Sequence, residues 1–133
     1  MDQSVLNSPD ETALAARSTQ DVFEDHLRLH REGCLEEDLK HNYAEDVLLL
    51  TENSVLHGHD GLRISAKRLA KQLPDARFEF LARQVEGEFA FLVWRAQSDR
   101  YRVECGADSF MIKDGRIYMQ TIHYRLLDRH EHI

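Results

Sequence analysis

Apolar and polar residues alternate through the second half of the chain, and this pattern predicts a series of strands from Arg77 onward. The clearest signal is Asp114-Gly115, because this dipeptide favours a type I′ hairpin turn with φ > 0 at both central residues. A two-residue loop makes successive residues of the two strands face each other. On one shared surface the predicted pairs are Ile112 with Ile117, Phe110 with Met119, Asp108 with Thr121, and Gly106 with His123.

Helical periodicity dominates the first half of the chain. Residues 8–11, Ser-Pro-Asp-Glu, have the composition of a helix N-terminus and predict a helix that runs to Gly33, with a break near residues 18–19. Its apolar stripe includes His26 and His30, one turn apart. Shorter elements follow: a helix with Leu35, Leu39 and Tyr43, strands over 47–50 and 54–57, and a helix that buries Leu62, Ala66, Leu69 and Leu73 before Pro74.

The predicted strands have apolar side chains on both faces. If residues 86–87, Glu-Gly, are a two-residue loop, one face holds Phe78, Phe80, Phe89, Phe91 and Val93, and the other holds Leu81, Leu92 and Trp94. By the same parity, the outer face of the last hairpin holds Cys105, Ala107, Ile122 and Tyr124. Three helices cover only one face of a sheet, so we expect the outer face to form a homodimer.

Composition narrows the class of protein. The chain has 133 residues, 42% hydrophobic and 31% charged, which predicts one domain over 1–133. A net charge of −7 argues against nucleic acid as a partner, and no apolar run is long enough for a membrane span. Cys34 and Cys105 are expected to be free thiols, and the N-terminus has no secretory signal, so we expect a cytoplasmic protein.

The order of the predicted elements (helix, helix, two short strands, helix, four long antiparallel strands) resembles the nuclear transport factor 2-like superfamily. Motifs within about 18–127 agree: Tyr-Ala-Glu-Asp-Val at 43–47, Gly-His-Asp-Gly at 58–61 and Ala-Asp-Ser-Phe at 107–110. The superfamily includes ketosteroid isomerase, scytalone dehydratase and the SnoaL-like polyketide cyclases. The resemblance implies an α+β, cone-shaped, cystatin-like fold, in which a curved antiparallel sheet wraps around three N-terminal helices and leaves an apolar pocket open at one end. It also implies a homodimer through the outer sheet face.

The resemblance transfers site residues only in part. Ketosteroid isomerases have a protonated aspartate, an oxyanion donor, two residues before a strand phenylalanine, and Asp108 has that spacing from Phe110. Their first-helix tyrosine, seven residues before a glycine, corresponds to His26. Their catalytic base, eight residues after the tyrosine of the Tyr-Ala-acid-Asp motif, corresponds to Thr51, which cannot abstract a proton. The resemblance therefore implies the fold more firmly than the reaction.

Asp108, His26 and His123 form the candidate catalytic set. A carboxyl group among apolar neighbours is costly unless it is neutral or paired, and the predicted register places His123 diagonal to Asp108. An Asp–His pair is a common acid–base unit. The structural alternative is that Asp108 only satisfies a buried polar patch by hydrogen bonding to Thr121, His123 or a helix histidine.

The pocket is expected to bind a small apolar organic molecule. Its predicted lining residues are His30, Tyr43, Thr51, Phe80, Phe91, Phe110, Met119 and Thr121. No histidine pair has a third ligand at a metal-site spacing, so neither a metal nor another cofactor is predicted. The predicted function is a small-molecule-binding domain, and a cofactor-independent acid–base enzyme is the alternative. Thr51 favours a non-catalytic ligand-binding domain, whereas convergent titratable groups favour a cofactor-independent isomerase, dehydratase or cyclase.

Overall fold

The computed structural model describes residues 10–130, and within this range the chain forms four helices. They are α1 (Glu11–Ala15), α2 (Thr19–Glu32), α3 (Leu35–Asn42) and α4 (Gly58–Gln72). The predicted break between the first two is confirmed: the Ser18 side chain accepts from Asp21 N–H at the start of α2, and Gly33 ends α2 with a φ of 71°. Asp10 caps α1, whereas the predicted cap at residues 8–9 lies outside the described range.

In the described part of the chain, seven strands form one curved sheet, which confirms the α+β class. They are β1 (Tyr43–Thr51), β2 (Val55–His57), β3 (Arg77–Glu86), β4 (Phe89–Gln97), β5 (Tyr101–Lys113), β6 (Arg116–His123) and β7 (Leu127–Asp128). The order is β2-β1-β6-β5-β4-β3, with β7 paired to β5. The sheet is mixed rather than wholly antiparallel, because β1 pairs in parallel with β6. A parallel pair needs a long connection, which α4 and the four intervening strands provide.

The last hairpin has the predicted turn but a different register. Asp114 and Gly115 have φ values of 50° and 74°, and Ile112 pairs with Ile117 as predicted. Tyr118 then forms a β-bulge that adds one residue to β6. The pairs beyond it are Met111 with Met119, Phe110 with Gln120, Ser109 with Thr121, Asp108 with Ile122, and Ala107 with His123.

This bulge reverses the faces of β6, because a shift of one residue moves every side chain to the other side. The concave face, toward the helices, carries Gln120 and Ile122 and continues to Tyr124, whereas Met119, Thr121 and His123 lie on the convex face. The predicted partners of Asp108, Phe110 and Gly106 are therefore wrong, as is the outward placement of Ile122 and Tyr124. Gly106 pairs with Trp94, and a Cβ there would lie 2.2 Å from the indole, so its missing side chain gives space to Trp94.

The β3–β4 hairpin differs from the prediction in the same way. Its loop is residues 87–88 rather than 86–87, and Leu81 forms a bulge in β3. As a result, the concave face carries Phe78, Phe80, Leu92 and Trp94, and the convex face carries Phe89, Phe91 and Val93. The predicted sharing of a face by Phe78, Phe80, Phe89 and Phe91 is wrong, because loop position and bulge together change which residues are opposite.

The bulges have a second effect, since a bulge bends its strand. A further register shift lies between Trp94 and Ala96, where β5 has an extra residue. The bent strands curve around the core, which includes Val22, Phe23, Leu39, Val47, Leu49, Phe110, Ile112 and Ile117. Between residues 10 and 130, no helix has the length and apolar character needed to cross a bilayer.

Candidate active site

A cavity of about 560 Å³ lies between α2, α3 and α4 and the concave face of the sheet. Its lining is mainly apolar and includes Leu27, Leu62, Leu69, Leu73, Phe78 and Leu92. Exposed residues of the lining, among them His30, Lys67 and Asp75, mark its opening. Buried polar residues mark its inner end, and they are His26, Asp38, Tyr43, Asp108 and Gln120.

Asp108 is held at the inner end by hydrogen bonds to its carboxyl group. Trp94 Nε1–H donates to Oδ1 over 2.9 Å, and Gln120 Nε2–H donates to Oδ2 over 3.1 Å. The Tyr43 hydroxyl donates in turn to Gln120 Oε1. The carboxyl group is therefore held in one orientation while it lines the cavity.

The environment of Asp108 changes its acidity. Burial raises the pKa of Asp108 to about 6, and the hydrogen bonds from Trp94 and Gln120 and the nearby His26 limit that rise. A carboxyl group with a pKa near neutrality exchanges a proton readily at physiological pH. This property suits general acid–base chemistry.

His26 and Asp38 form a buried pair beside Asp108. His26 Nδ1 lies 2.7 Å from Asp38 Oδ2, and both side chains are less than a tenth exposed. Because an ionised carboxylate only accepts, the proton of this bond lies on Nδ1. Nε2 has no hydrogen-bond partner within residues 10–130 and is not sealed from solvent, so it is the nitrogen left for a ligand in the cavity.

The pKa of His26 is raised above its usual value. Burial is the largest single influence and acts in the opposite direction, since it disfavours the imidazolium form. The charge and hydrogen bond of Asp38, with smaller contributions from Asp108 and Asp25, outweigh burial. His26 therefore holds a proton more tightly than a free histidine does.

Polar side chains behind Asp38 fix the position of this pair. Asn42 Nδ2 donates to Asp38 Oδ1 over 2.9 Å and to Asp25 Oδ2 over 3.0 Å. Arg17 Nη1 donates to Asn42 Oδ1 over 2.9 Å. Both oxygens of Asp38 thus have partners, which locks the carboxylate against His26.

The opening of the cavity is aromatic. The His30 ring packs against Phe78 with centroids 5.0 Å apart, and the Arg31 guanidinium lies 4.6 Å from the centre of the Phe80 ring. Solvent reaches His30 through the opening, yet its apolar surroundings and the neighbouring His26 lower the pKa of His30. The opening therefore combines flat aromatic surfaces with charged side chains such as those of Arg31 and Lys67.

The structure brings only part of the predicted site together. His26, His30, Tyr43, Phe80 and Asp108 line the cavity, whereas Thr51, Phe91, Phe110, Met119, Thr121 and His123 do not. Phe110 is buried in the core against Phe23, with ring centroids 5.3 Å apart. Thr51 ends β1 and bonds to Ser54 over 2.6 Å.

The remaining corrections follow from the shifted registers. Phe91, Met119, Thr121 and His123 lie on the convex face because of the β3–β4 loop and the bulge at Tyr118. The convex position of His123 takes it away from Asp108, so the predicted pairing of the two is wrong.

Three functional candidates were missed by the sequence pattern, namely Asp38, Trp94 and Gln120. Asp38 had a usable signal, because it lies one helical turn before Asn42 and beside the apolar Leu35 and Leu39. Two polar residues on the apolar side of a helix indicate a buried polar pair. Gln120 had no such signal, since only the bulge places it on the concave face.

Helices packed in the concave face of a curved, mixed sheet agree with the α+β fold that the sequence resemblance implies. A family model, the SnoaL-like domain, matches residues 23–119, and the chain belongs to this family. No match was found among curated proteins.

Solved structures show the same fold at low identity. An NTF-2 like protein of unknown function from Burkholderia xenovorans LB400 is 13% identical, with a TM-score of 0.68 over 86% of this chain and 87% of that chain. A candidate ketosteroid isomerase from Kribbella flavida DSM 17836 is 16% identical, with a TM-score of 0.66 over 80% and 77%. A de novo designed protein with a curved β-sheet is 19% identical, with a TM-score of 0.67 over 80% and 84%. Likeness at these identities establishes the fold and no reaction.

Proposed function

We propose that this protein is a cofactor-independent enzyme that transfers a proton within a small, mainly apolar carbonyl compound. The reaction class is isomerisation, dehydration or cyclisation. One observation carries the proposal: the His26–Asp38 pair and Asp108 line the same apolar cavity, with His26 Nε2 left for a ligand. Two titratable groups whose environments shift their acidity beside one cavity are the usual signature of an acid and a base.

The two groups have complementary roles. Asp108, with a pKa of about 6, is mainly ionised at neutral pH and serves as the base that removes a proton next to the carbonyl carbon. His26, whose pKa is raised by Asp38, donates a proton to the carbonyl oxygen as negative charge develops there. In isomerisation the proton count balances, because Asp108 returns the abstracted proton to a second carbon of the enol and His26 takes back the proton of the enol oxygen.

The lining of the cavity supports the substrate class. Aliphatic and aromatic side chains form most of its wall, and a volume of about 560 Å³ is within the range of small-molecule sites. Polar groups are concentrated at the inner end. A ligand with one carbonyl group and an apolar body satisfies both regions.

A non-catalytic binding domain is the second candidate. It is favoured by Thr51, which stands where the ketosteroid isomerase resemblance expects a base, and by the hydrogen bonds of Asp108 to Trp94 and Gln120. In that case the hydrogen bonds among Asp108, Trp94 and Gln120 only satisfy buried polar groups. The same cavity would then bind the ligand without changing it.

An isotope-exchange experiment separates the two candidates. Ligands are first found by thermal stabilisation with a panel of apolar ketones, lactones and sterol-like compounds. Each hit is then incubated with the protein in D₂O, and ¹H NMR follows exchange of the hydrogens next to the carbonyl. We expect exchange with wild type and with the distant control Glu79→Gln, but not with Asp108→Asn. Binding without exchange by wild type would support the binding domain instead.

We also propose a homodimer through the convex face of the sheet. Phe89 and Phe91 are 55% and 41% exposed there, a cost that burial against a second copy would remove. Sedimentation of wild type should give a dimer, and Phe91→Arg should give a folded monomer. A monomeric wild type would contradict this assembly.

The reduced thiols suggest a compartment. Cys34 and Cys105 are both free, and Cys105 is exposed on the protein surface. Free surface thiols persist in a reducing environment. We therefore propose that the protein acts in the cytoplasm, which fractionation of expressing cells tests directly.

A further inference from the structure

A second concave site lies next to the main cavity and has a different chemistry. This cleft of about 380 Å³ is formed by the end of β1, α4 and the segment after β6. Two of its lining residues, Arg68 and Arg125, carry guanidinium groups, and one carries an acid, Glu52. Neutral hydrogen-bonding groups from Thr51, Asn53 and Gln72 complete its wall. The cleft is therefore polar and locally basic.

The basic character is unusual for this chain. Acidic residues outnumber Lys and Arg by 24 to 17, and eight arginines elsewhere form salt bridges with carboxylates. Within residues 10–130, neither Arg68 nor Arg125 has a carboxylate within salt-bridge distance. Two arginines that have no carboxylate partner within the described residues thus line one concavity. Guanidinium groups in such a position are available to an external anion.

Arg68 is also positioned for this role. Its Nη1 donates to Ser54 Oγ over 3.1 Å, and Ser54 is held by Thr51 in the turn between β1 and β2. A guanidinium has five N–H donors, so this bond anchors the group and leaves the other donors for a ligand.

The cleft and the main cavity share a wall. Ser65, Ile122 and Tyr124 line both of them. The Tyr124 ring packs against Trp94 with centroids 5.6 Å apart, and its hydroxyl donates to Gln72 Oε1. Trp94 in turn donates to Asp108. Tyr124 therefore lies between the candidate acid–base groups and the basic cleft, at the border where the two concavities meet.

We propose that the cleft is an anion subsite that binds a carboxylate or phosphate group at the far end of the molecule held in the main cavity. This inference rests on the proposed function, because it assigns the rest of that molecule to the main cavity. It also narrows the substrate class to apolar carbonyl compounds with an acidic terminus. The anion is recognised by Arg68 and Arg125, with the neutral donors of the cleft completing its hydrogen bonds.

Matched ligand series test the subsite. The probes are ω-phenylalkanoic acids of increasing chain length, their primary amides, and ω-phenylalkyl phosphates of the same lengths. Trp94 is the single tryptophan of the chain and lines the main cavity, so its fluorescence reports occupation there. Calorimetry gives the affinity. For wild type we expect an optimum chain length at which the acid or the phosphate binds about tenfold more tightly than the amide. The series that binds more tightly, the carboxylates or the phosphates, identifies the anion that the cleft prefers.

Variants assign that preference to the cleft. Arg68→Gln with Arg125→Gln should bring the affinity of the anion down to that of the amide and leave the amide unchanged. Arg77→Gln is the matched control, since Arg77 lines neither site and has the same charge. It should retain the preference. Circular dichroism verifies that each variant folds. If the double variant does not fold, Arg68→Gln and Arg125→Gln are tested separately.

The outcomes separate this inference from the proposed function. Equal affinity of anion and amide for wild type, with Trp94 responding to both, overturns the subsite and leaves the main cavity as a binding site. A preference that survives the double variant also overturns it. Binding of anions alone, lost in the double variant and without a Trp94 response, supports an anion site but overturns its link to the main cavity.

Discussion

The two ends of the main cavity differ in how they are built. At the inner end, buried groups such as Asp108 and Asp38 have hydrogen-bond partners on both carboxyl oxygens. At the opening, Phe80 and His30 make aromatic contacts and are reached by solvent. Buried charges are expensive and demand fixed partners, whereas apolar contacts tolerate variation. Under the proposed function, we therefore expect chemistry at the inner end and substrate selection at the opening.

The largest effect is expected from Asp108→Asn at the inner end. The amide keeps the size of the side chain but cannot accept a proton, so kcat/KM for a compound that the wild type turns over should fall about 10²- to 10⁴-fold. Ligand affinity, measured by calorimetry, should stay within about threefold. Undiminished turnover by the variant would show that Asp108 is not the base.

The pH dependence of turnover provides a second, nearly as large, effect. With Asp108 as base and His26 as acid, kcat/KM should rise as Asp108 ionises near pH 6 and fall at higher pH as His26 loses its proton. Each limb should approach a tenfold change per pH unit. Initial rates across pH 4 to 10 measure this profile, and a single rising limb would contradict the acidic role of His26.

Removing the partner of His26 is expected to have an intermediate effect. Asp38→Asn keeps a hydrogen bond but loses the charge that favours the imidazolium, so the pKa of His26 should fall and turnover should drop about 10- to 100-fold. NMR titration of the His26 ring measures the pKa. Asp25→Asn is the control, because Asp25 also bonds to Asn42 but does not touch His26. An equal pKa decrease in both variants would argue against a specific pair.

The substitution Asp108→Asn is expected to raise the stability of the protein although it lowers its activity. The pKa of an aspartate in an unfolded chain is about 3.9, and that of Asp108 in the folded protein is about 6. Between these values the folded protein holds a proton that the unfolded chain has lost, so stability falls as pH rises from about 4 to about 6. Above pH 6 the loss of stability stays constant, because Asp108 is ionised in both the folded and the unfolded chain.

Asp108→Asn removes this cost. The free energy of unfolding of the variant should therefore exceed that of wild type by about 1 to 3 kcal/mol at pH 7, and the gain should vanish near pH 4. Urea denaturation at both pH values measures it. A variant less stable than wild type at pH 7 would show that Asp108 contributes to stability rather than costing it.

The smallest effect is expected at the opening. Phe80→Leu removes an aromatic surface from the cavity wall and from Arg31 but leaves the acid–base groups in place. KM should rise about two- to fivefold with kcat unchanged, which corresponds to a loss of at most about 1 kcal/mol of binding. A large decrease in kcat would mean that the two ends are not independent.

Local signals predicted much of the fold. The turn at Asp114-Gly115, the break before α2 at Ser18 and the end of that helix at Gly33 were all readable, because each depends on the conformational preference of one or two residues. His26 was a readable candidate as well, since an imidazole on an apolar helical stripe is uncommon. The resemblance to nuclear transport factor 2-like proteins added the overall arrangement, which the family match confirms.

The lining of the site was less predictable. Bulges at Tyr118 and Leu81 each move the residues beyond them by one position, and nothing in the residues themselves marks a bulge. As a result Gln120 took the place predicted for Met119 opposite Phe110, Ile122 took the place predicted for Thr121 opposite Asp108, and His123 moved to the convex face. Side chains along a strand alternate between its two faces. One extra residue therefore moves every later side chain of the strand to the opposite face.

The sequence by itself determined the elements, their turns and the family, because propensity, capping and turn chemistry act over a few residues. Only the tertiary structure decided which polar groups meet. Asp38 reaches His26 because α3 packs beside α2, and Gln120 reaches Asp108 because β6 carries a bulge. Such contacts depend on register and packing between segments far apart in the chain, and local preferences contain no information on either.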